Sequence, residues 1–273
     1  MRVAYLGPAG TNSEVAALRA YADAELVPCA SIPAIARAVS GGEAERGVAP
    51  VENSLQGTVT DTVDELIRGD QLAICGEVVL DIEHCLMVKP GTPRDTINVV
   101  YSHPQSLGQC RRFLETQLPG VRTEAALSNA EAVAIAMRTP SAAAIGPARA
   151  AEIYGAEILL RGIEDSRANK TRFVVLAREG APPTGRDKTS IAVAVAHDRP
   201  GTLVAVLHEF SDRQINMTRI ESRPSGEELG VYIFLIDVEG HREDPIVAQA
   251  LASVKEQASF FKVFGSYPAW TDP

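Results

Sequence analysis

Short apolar runs alternate with helically spaced apolar stripes along the first two thirds of the chain. This strand-and-helix alternation predicts open α/β layers with right-handed crossovers. Arg2 to Leu6 reads as a strand, Gly7-Pro8-Ala9-Gly10 as a turn, and Thr11 with Glu14 as a capping box ahead of Val15, Ala16, Ala17 and Leu18. Glu25 to Cys29 is a weak strand, and Ile32 to Val39 is a short helix closed by Gly41-Gly42. The apolar run that follows Arg46 leads straight into Glu52, Asn53 and Ser54; beyond Gln56-Gly57, Val59, Val63, Leu66 and Ile67 mark a helix stripe. Leu72 to Val88 lacks helical spacing and predicts two strands that bridge to a second lobe.

The second lobe repeats the alternation. Ile97 to Tyr101 is a strand, and Ser102 with Gln105 a capping box opening a helix whose buried face is Leu107, Cys110, Phe113 and Leu114. Val121 to Ala125 is a strand, and Ser128 with Glu131 a third capping box before the helix Ala132 to Met137. Strand Ser141 to Gly146, a helix from Pro147 to Tyr154 and strand Ala156 to Leu160 lead to Asn169-Lys170-Thr171-Arg172-Phe173-Val174-Val175-Leu176, a buried strand with a polar mouth. A linker rich in Gly and Pro runs from Arg178 to Lys188. Beyond it the order is strand (Thr189 to Val195), helix (Leu203 to Phe210), strands (Ile215 to Ile220, Val231 to Asp237), helix (Ile246 to Val254) and strand (Phe260 to Phe264). That is a ferredoxin-like split βαβ unit.

Composition narrows the function. With 273 residues, 45% of them hydrophobic, the chain suggests roughly two domains with proper cores. A net charge of -9 and a pI near 5.1 leave no broad basic face for nucleic acid or anionic lipid. No apolar run reaches the length of a membrane span and the N-terminal one is too short for a signal peptide, so a cytoplasmic protein is expected. Cys29, Cys75, Cys85 and Cys110 show no CxxC spacing and no neighbouring His; they read as buried hydrophobes or free thiols, with no metal site.

The candidate chemistry lies where strands end. Any anionic ligand must be met by a few local cations and by helix N-termini. Glu52, Asn53 and Ser54 fit either a ligand site at a strand's carboxyl end or a helix cap. His103 fits a ligand contact or a bond to the backbone. Around Thr171 a hydroxyl can donate a proton and Arg172 can hold a carboxylate bidentately, whereas the plainer reading is a strand behind a polar loop.

Five segments in order then carry a resemblance: GPAGT at 7 to 11, ENSLQGTV at 52 to 59, SHPQSLGQC at 102 to 110, AAIGPARAAEIYG at 143 to 155 and NKTRFVVL at 169 to 176. The chain resembles prephenate dehydratases, and past the linker GTLV at 201 to 204 and ESRP at 221 to 224 resemble an ACT regulatory domain. The resemblance implies a two-lobed, periplasmic-binding-protein-like α/β catalytic domain over residues 1–178, a linker over 179–188 and a βαββαβ ACT domain over 189–273. It also implies conversion of prephenate to phenylpyruvate, a lyase step of phenylalanine biosynthesis, without metal or cofactor. By position, Thr171 matches the catalytic threonine, with Arg172, Glu52, Asn53 and Ser54 beside it. Thr11, Ser102, His103, Gln105, Asn169 and Phe173 fall in the substrate-binding segments. Gly201, Thr202, Leu203 and Val204, with Glu221, Ser222, Arg223 and Pro224, match the segments that hold phenylalanine at a dimer interface. A homodimer or homotetramer under phenylalanine control is therefore implied, and, with no chorismate mutase segment ahead of Met1, a monofunctional form.

Gly146-Pro147 stands where the family commonly has a serine, Asn12-Ser13 where an aromatic often follows the threonine, and Thr202 where an alanine is usual. Pro147 supplies neither a hydroxyl nor an N–H. The rival readings are a prephenate decarboxylase, an arogenate dehydratase and a non-catalytic amino-acid sensor.

Overall fold

The computed structural model describes residues 1–69, 71–195, 200–226 and 231–271. In chain order the elements are β1 (Arg2–Leu6), α1 (Asn12–Ala20), β2 (Glu25–Cys29), α2 (Ile32–Ser40), β3 (Arg46–Asn53), β4 (Gly57–Thr58), α3 (Thr60–Arg68), β5 (Ala73–Asp81) and β6 (Cys85–Val88). After a 3₁₀ turn at Arg94–Thr96 come β7 (Val99–Ser102), α4 (Pro104–Gln109), α5 (Arg111–Gln117), β8 (Arg122–Ala125), α6 (Asn129–Ala136), β9 (Ala142–Gly146), α7 (Ala148–Tyr154), β10 (Glu157–Leu160) and β11 (Lys170–Ala177). The chain ends with β12 (Asp187–Val195), α8 (Thr202–Ser211), β13 (Met217–Pro224), β14 (Tyr232–Glu239), α9 (Pro245–Gln257) and β15 (Ala258–Pro268).

Three sheets result. The first has the order β2-β1-β3-β11-β5, with β4 paired to β3; the second is β10-β6-β9-β7-β8; the third is β13-β14-β12-β15. In the first two, β1 runs parallel to β2 and β3, and β7 parallel to β8 and β9, each pair joined through a helix. The second sheet is covered on both faces, and the two-residue strand period shows it: Cys85 and Met87 of β6 enter one core with Ala142 and Ala144. Leu86 and Val88 enter the other with Ala143 and Ile145. These are the two α/β lobes of a periplasmic-binding-protein-like fold. The third sheet is antiparallel and receives α8 and α9 through Val206, Phe210, Val247 and Val254, which pack on Ile191, Val193 and Ile236: the ferredoxin-like ACT arrangement.

By compactness the chain divides into Met1–Thr62 with Val78–Phe173, and Val63–Glu77 with Val174–Pro273. The second lobe lies in the first unit together with most of the first lobe, whose strands β5 and β11 are divided between the units; the chain crosses between the lobes twice, from β5 to β6 and from β10 to β11.

Two local expectations change. The helix foreseen from Ser102 breaks at Cys110 into α4 and α5. Asp165 takes up the freed backbone groups: its carboxylate accepts from Arg112 N (3.0 Å) and its N–H donates to the Gln109 carbonyl (2.7 Å). The strand expected to end at Ile220 runs on to Pro224, as an edge strand of alternating exposure.

Candidate active site

Two turns with the same construction face each other across the cleft of the first unit. At β1–α1, Thr11 Oγ1 accepts from Glu14 N (3.3 Å) and donates to the Leu6 carbonyl (3.1 Å), while the Glu14 carboxylate reaches back to Gly10 N. At the start of α6, Ser128 Oγ accepts from Glu131 N (3.0 Å), and the Glu131 carboxylate accepts from Leu127 N (2.9 Å). In both cases the glutamate serves the N–H one residue earlier than the capping box foreseen from sequence. Asn12, Ser13 and Asn129, whose first-turn N–H groups have no acceptor in their own helices, line a cavity of about 360 Å³.

The third wall comes from β7 and α4. His103, not Ser102, caps α4: its Nδ1 accepts from Gln105 N (3.3 Å), and burial pushes its imidazole below the ordinary value. Ser102 is fully buried; its hydroxyl donates to the Ile145 carbonyl (2.7 Å) and lies 3.0 Å from Asn129 Oδ1, which also accepts from His103 N (3.2 Å). Ser102 thus supports the wall, whereas His103 and Gln105 form it.

The floor is a chain of amides. Asn53 Oδ1 accepts from Leu55 N (3.0 Å) and Gln56 N (3.2 Å), so its Nδ2 must face the other way, to Thr171 Oγ1 (2.9 Å) and Asn169 Oδ1 (2.9 Å). Asn169 Nδ2 donates to Gln109 Oε1 (3.0 Å), which lies 2.7 Å from His84 Nε2. Asn53, Thr171, Asn169, Gln109 and His84 all line the cavity.

Other candidate residues lie elsewhere. On β11, Arg172 points away from Thr171, as successive strand residues do, and its guanidinium is 3.6 Å from Glu52; neither lines the cavity. Ser54 ties the Asn53 turn to β11, donating to the Ala168 carbonyl (2.6 Å) and accepting from Lys170 N (2.9 Å). Phe173 is core. Sequence reasoning passed over several site members, among them Asn12, Ser13 and Asn129 at the helix starts and Gln109 and His84 in the floor. Gln109 is the penultimate residue of the SHPQSLGQC segment, but His84, a lone histidine between two strands, has no local signal. Burial pushes the thiols of Cys85, to about 12, and Cys110 up, away from nucleophilic use. Among the described residues no cluster of three His, Cys, Asp or Glu is placed to hold a metal ion.

The family model for prephenate dehydratase matches residues 3–181, and that for the ACT domain matches residues 189–256. The chain belongs to the prephenate dehydratase family. It is 43% identical over 98% of its length to the bifunctional chorismate mutase/prephenate dehydratase of Stutzerimonas stutzeri, of which it covers 73%. Among solved structures, prephenate dehydratase of Arthrobacter aurescens in complex with L-Phe superposes with a TM-score of 0.90 at 34% identity, over 98% of this chain and 90% of that one. A protein described as GqqA, a quorum quenching acylase, gives 0.89 at 31% identity, over 99% and 98%.

Within this prephenate dehydratase fold, Pro147 caps α7 with no side-chain hydrogen bond, and neither it nor Gly146 lines the cavity. The effector candidates lie in the second unit. Gly201, at φ 87°, precedes the first turn of α8 that holds Thr202, Leu203 and Val204; Glu221, Ser222, Arg223 and Pro224 lie on β13. There Glu221 pairs with Arg219 (2.7 Å) and Arg223 with Asp64 of α3.

Proposed function

We propose that this cavity converts prephenate to phenylpyruvate, with loss of carbon dioxide and water, and that Thr171 is the proton donor to the departing ring hydroxyl. The observation that carries the reading is the hydrogen-bond polarity at Thr171. Its oxygen already accepts from Asn53 Nδ2, which leaves the hydroxyl hydrogen for a ligand in the cavity. The electrons released as carbon dioxide leaves aromatise the ring and expel the hydroxyl, so protonation of that oxygen and orientation of the ring are what the protein must add. Among the described residues no Lys, Arg, Asp or Glu lines the cavity. A dianionic substrate therefore meets the N-terminal turns of α1 and α6 and the polar side chains of His103 and Gln105. Weak solvation there favours loss of the ring carboxylate. Thr171→Ala is expected to lose roughly 10²- to 10⁴-fold in kcat with near-normal KM, and Thr171→Ser to keep part of the activity. Full activity in Thr171→Ala removes Thr171 from the mechanism. Ultraviolet detection of phenylpyruvate separates dehydration from decarboxylation alone, and a parallel assay with an N-acylated amine tests the chemistry for which the acylase neighbour is described.

The reading includes regulation. The ACT segments at 201–204 and 221–224 are proposed to bind L-phenylalanine, as the Arthrobacter aurescens neighbour does. Val204, Ile220 and Tyr232 are exposed apolar residues on α8, the edge strand β13 and its neighbour β14, which supports pairing of two copies there. Four free cysteines suit a reducing cytoplasm.

A further inference from the structure

His84 is almost fully buried, and among the described residues neither its Nδ1 nor Gln109 Nε2 beside it has a hydrogen-bond partner. Two buried polar atoms without partners are costly, and such a pair needs a reason. The direction of the hydrogen bonds around them fixes which atoms these are. The N–H groups of Leu55 and Gln56 cannot reverse, so they fix Asn53 Oδ1 as acceptor and Asn53 Nδ2 as donor to Asn169 Oδ1. Asn169 then has only its Nδ2 to offer, and Gln109 must turn Oε1 toward it. The same Oε1 faces His84 Nε2, so that nitrogen must carry the ring proton and Nδ1 the lone pair. Turning the Gln109 amide over would leave the same two positions without partners and would set its NH₂ against that of Asn169. Once Asn53 is locked, every step is forced.

We propose that His84 is a positioning residue for Thr171: its Nε2–H anchors the far end of the chain whose polarity Asn53 sets, and so holds Gln109 and Asn169 in place beneath Asn53 Nδ2 and the threonine oxygen it serves. The placement on the fold supports this. Asn53 and Thr171 belong to the first lobe and Gln109 to the second, while His84 and Asn169 sit on the two crossings between them. Those crossings are pinned by main-chain N–H groups: His84 N donates to the Glu164 carboxylate at Oε2 (2.8 Å), Ile163 N to the His84 carbonyl (3.1 Å) and Ile82 N to the Asn169 carbonyl (2.8 Å). The donor polarity of the threonine is thereby tied to the way the two lobes are joined.

The inference rests on Thr171 as the donor, so its test has one arm that does not depend on turnover. In the full-length protein, ¹⁵N NMR of the His84 ring is expected to show the Nε2–H form; a ring protonated at Nδ1 alone overturns the proposal whatever the enzyme does with prephenate. In the second arm, a Gln amide nitrogen reaches the place of histidine Nε2, whereas an Asn amide nitrogen reaches only that of Nδ1. His84→Gln should retain kcat within about twofold. His84→Asn should lose roughly ten- to hundredfold in kcat with little change in KM, the scale of a catalytic group misplaced by about 1 Å. Both variants are compared at matched thermal stability. Equal kcat for the two, both folded, overturns the role. Absence of turnover in the unsubstituted protein, with the Nε2–H form present, counts against the assigned reaction and leaves the network standing.

Discussion

At Thr171 and His103 the neighbouring groups decide what each side chain offers to a ligand. Thr171 accepts from Asn53 and so donates, and His103 Nδ1 accepts from Gln105 N and so must stay unprotonated to cap α4. Burial lowers the His103 value, which makes a pH prediction with a definite sign. As pH falls below about 6.5, the unfolded chain takes up the proton before the folded one does, so stability falls with pH across the window beneath the ordinary imidazole value and is level above it. Asn is a good N-cap that does not titrate. Melting temperature measured from about pH 7.5 to about pH 5 should therefore fall more steeply for the unsubstituted protein than for His103→Asn. Parallel curves would show that His103 does not set that slope. The motif around Thr171 was legible as chemistry, because a hydroxyl and a cation at the mouth of an apolar strand are readable from eight residues. What the eight residues could not show is that Thr171 and Arg172, being adjacent on a strand, face opposite ways, so that Arg172 meets Glu52 and not the cavity.

At the scale of elements, the helix starts were the clearest signal in the chain. Thr11 and Ser128 followed three residues later by glutamate mark the N-termini of α1 and α6, and both hydroxyls cap as expected. The succession of strands and helices, and the βαββαβ unit past the linker, followed equally from alternation. The break between α4 and α5 did not, because the residue that satisfies it, Asp165, is more than fifty positions away and belongs to a crossing whose path no periodicity encodes. The network of His84 was hidden for the same reason, since a lone polar residue between strands gains meaning only from partners distant in sequence. If the α6 N-terminus helps hold a substrate carboxylate, Ser128→Ala loses the cap and loosens the turn that presents Asn129 N–H. The expected cost is about 1 kcal/mol of stability together with a raised KM for prephenate and a nearly unchanged kcat. A lowered melting temperature with unaltered KM would leave Ser128 a structural cap alone.

For the whole molecule, helix α3 joins the two chemistries covalently. It follows the Asn53 turn within a few residues, begins in the first unit, where Thr62 Oγ1 donates to the Pro50 carbonyl (2.5 Å), and continues into the second. There its last turn is held by Lys262 Nζ, which donates to the carbonyls of Ile67 (3.1 Å) and Gly69 (2.6 Å), and its Asp64 pairs with Arg223. The segment after it is packed as closely: a Cβ on Gly265 would lie 2.8 Å from Ile74 N, so Gly265→Ala is expected to destabilise this unit by about 3 kcal/mol in denaturant melts, and an unchanged midpoint would refute the packing argument. Arg223 is also in the segment proposed to hold phenylalanine, and its Nη1 is buried with no hydrogen-bond partner among the described residues. An amino-acid carboxylate arriving there would draw the guanidinium from Asp64 and so bear on α3. A ligand moves an equilibrium only by its differential affinity for the two states, commonly worth about 1–3 kcal/mol. Phenylalanine should therefore lower the rate of phenylpyruvate formation. In Asp64→Asn, where the carboxylate that competes for Arg223 is gone, phenylalanine should still bind and raise the melting temperature but change the rate at least about threefold less. The same inhibition ratio in both proteins, at saturating phenylalanine, would show that the route does not run through the Asp64–Arg223 pair.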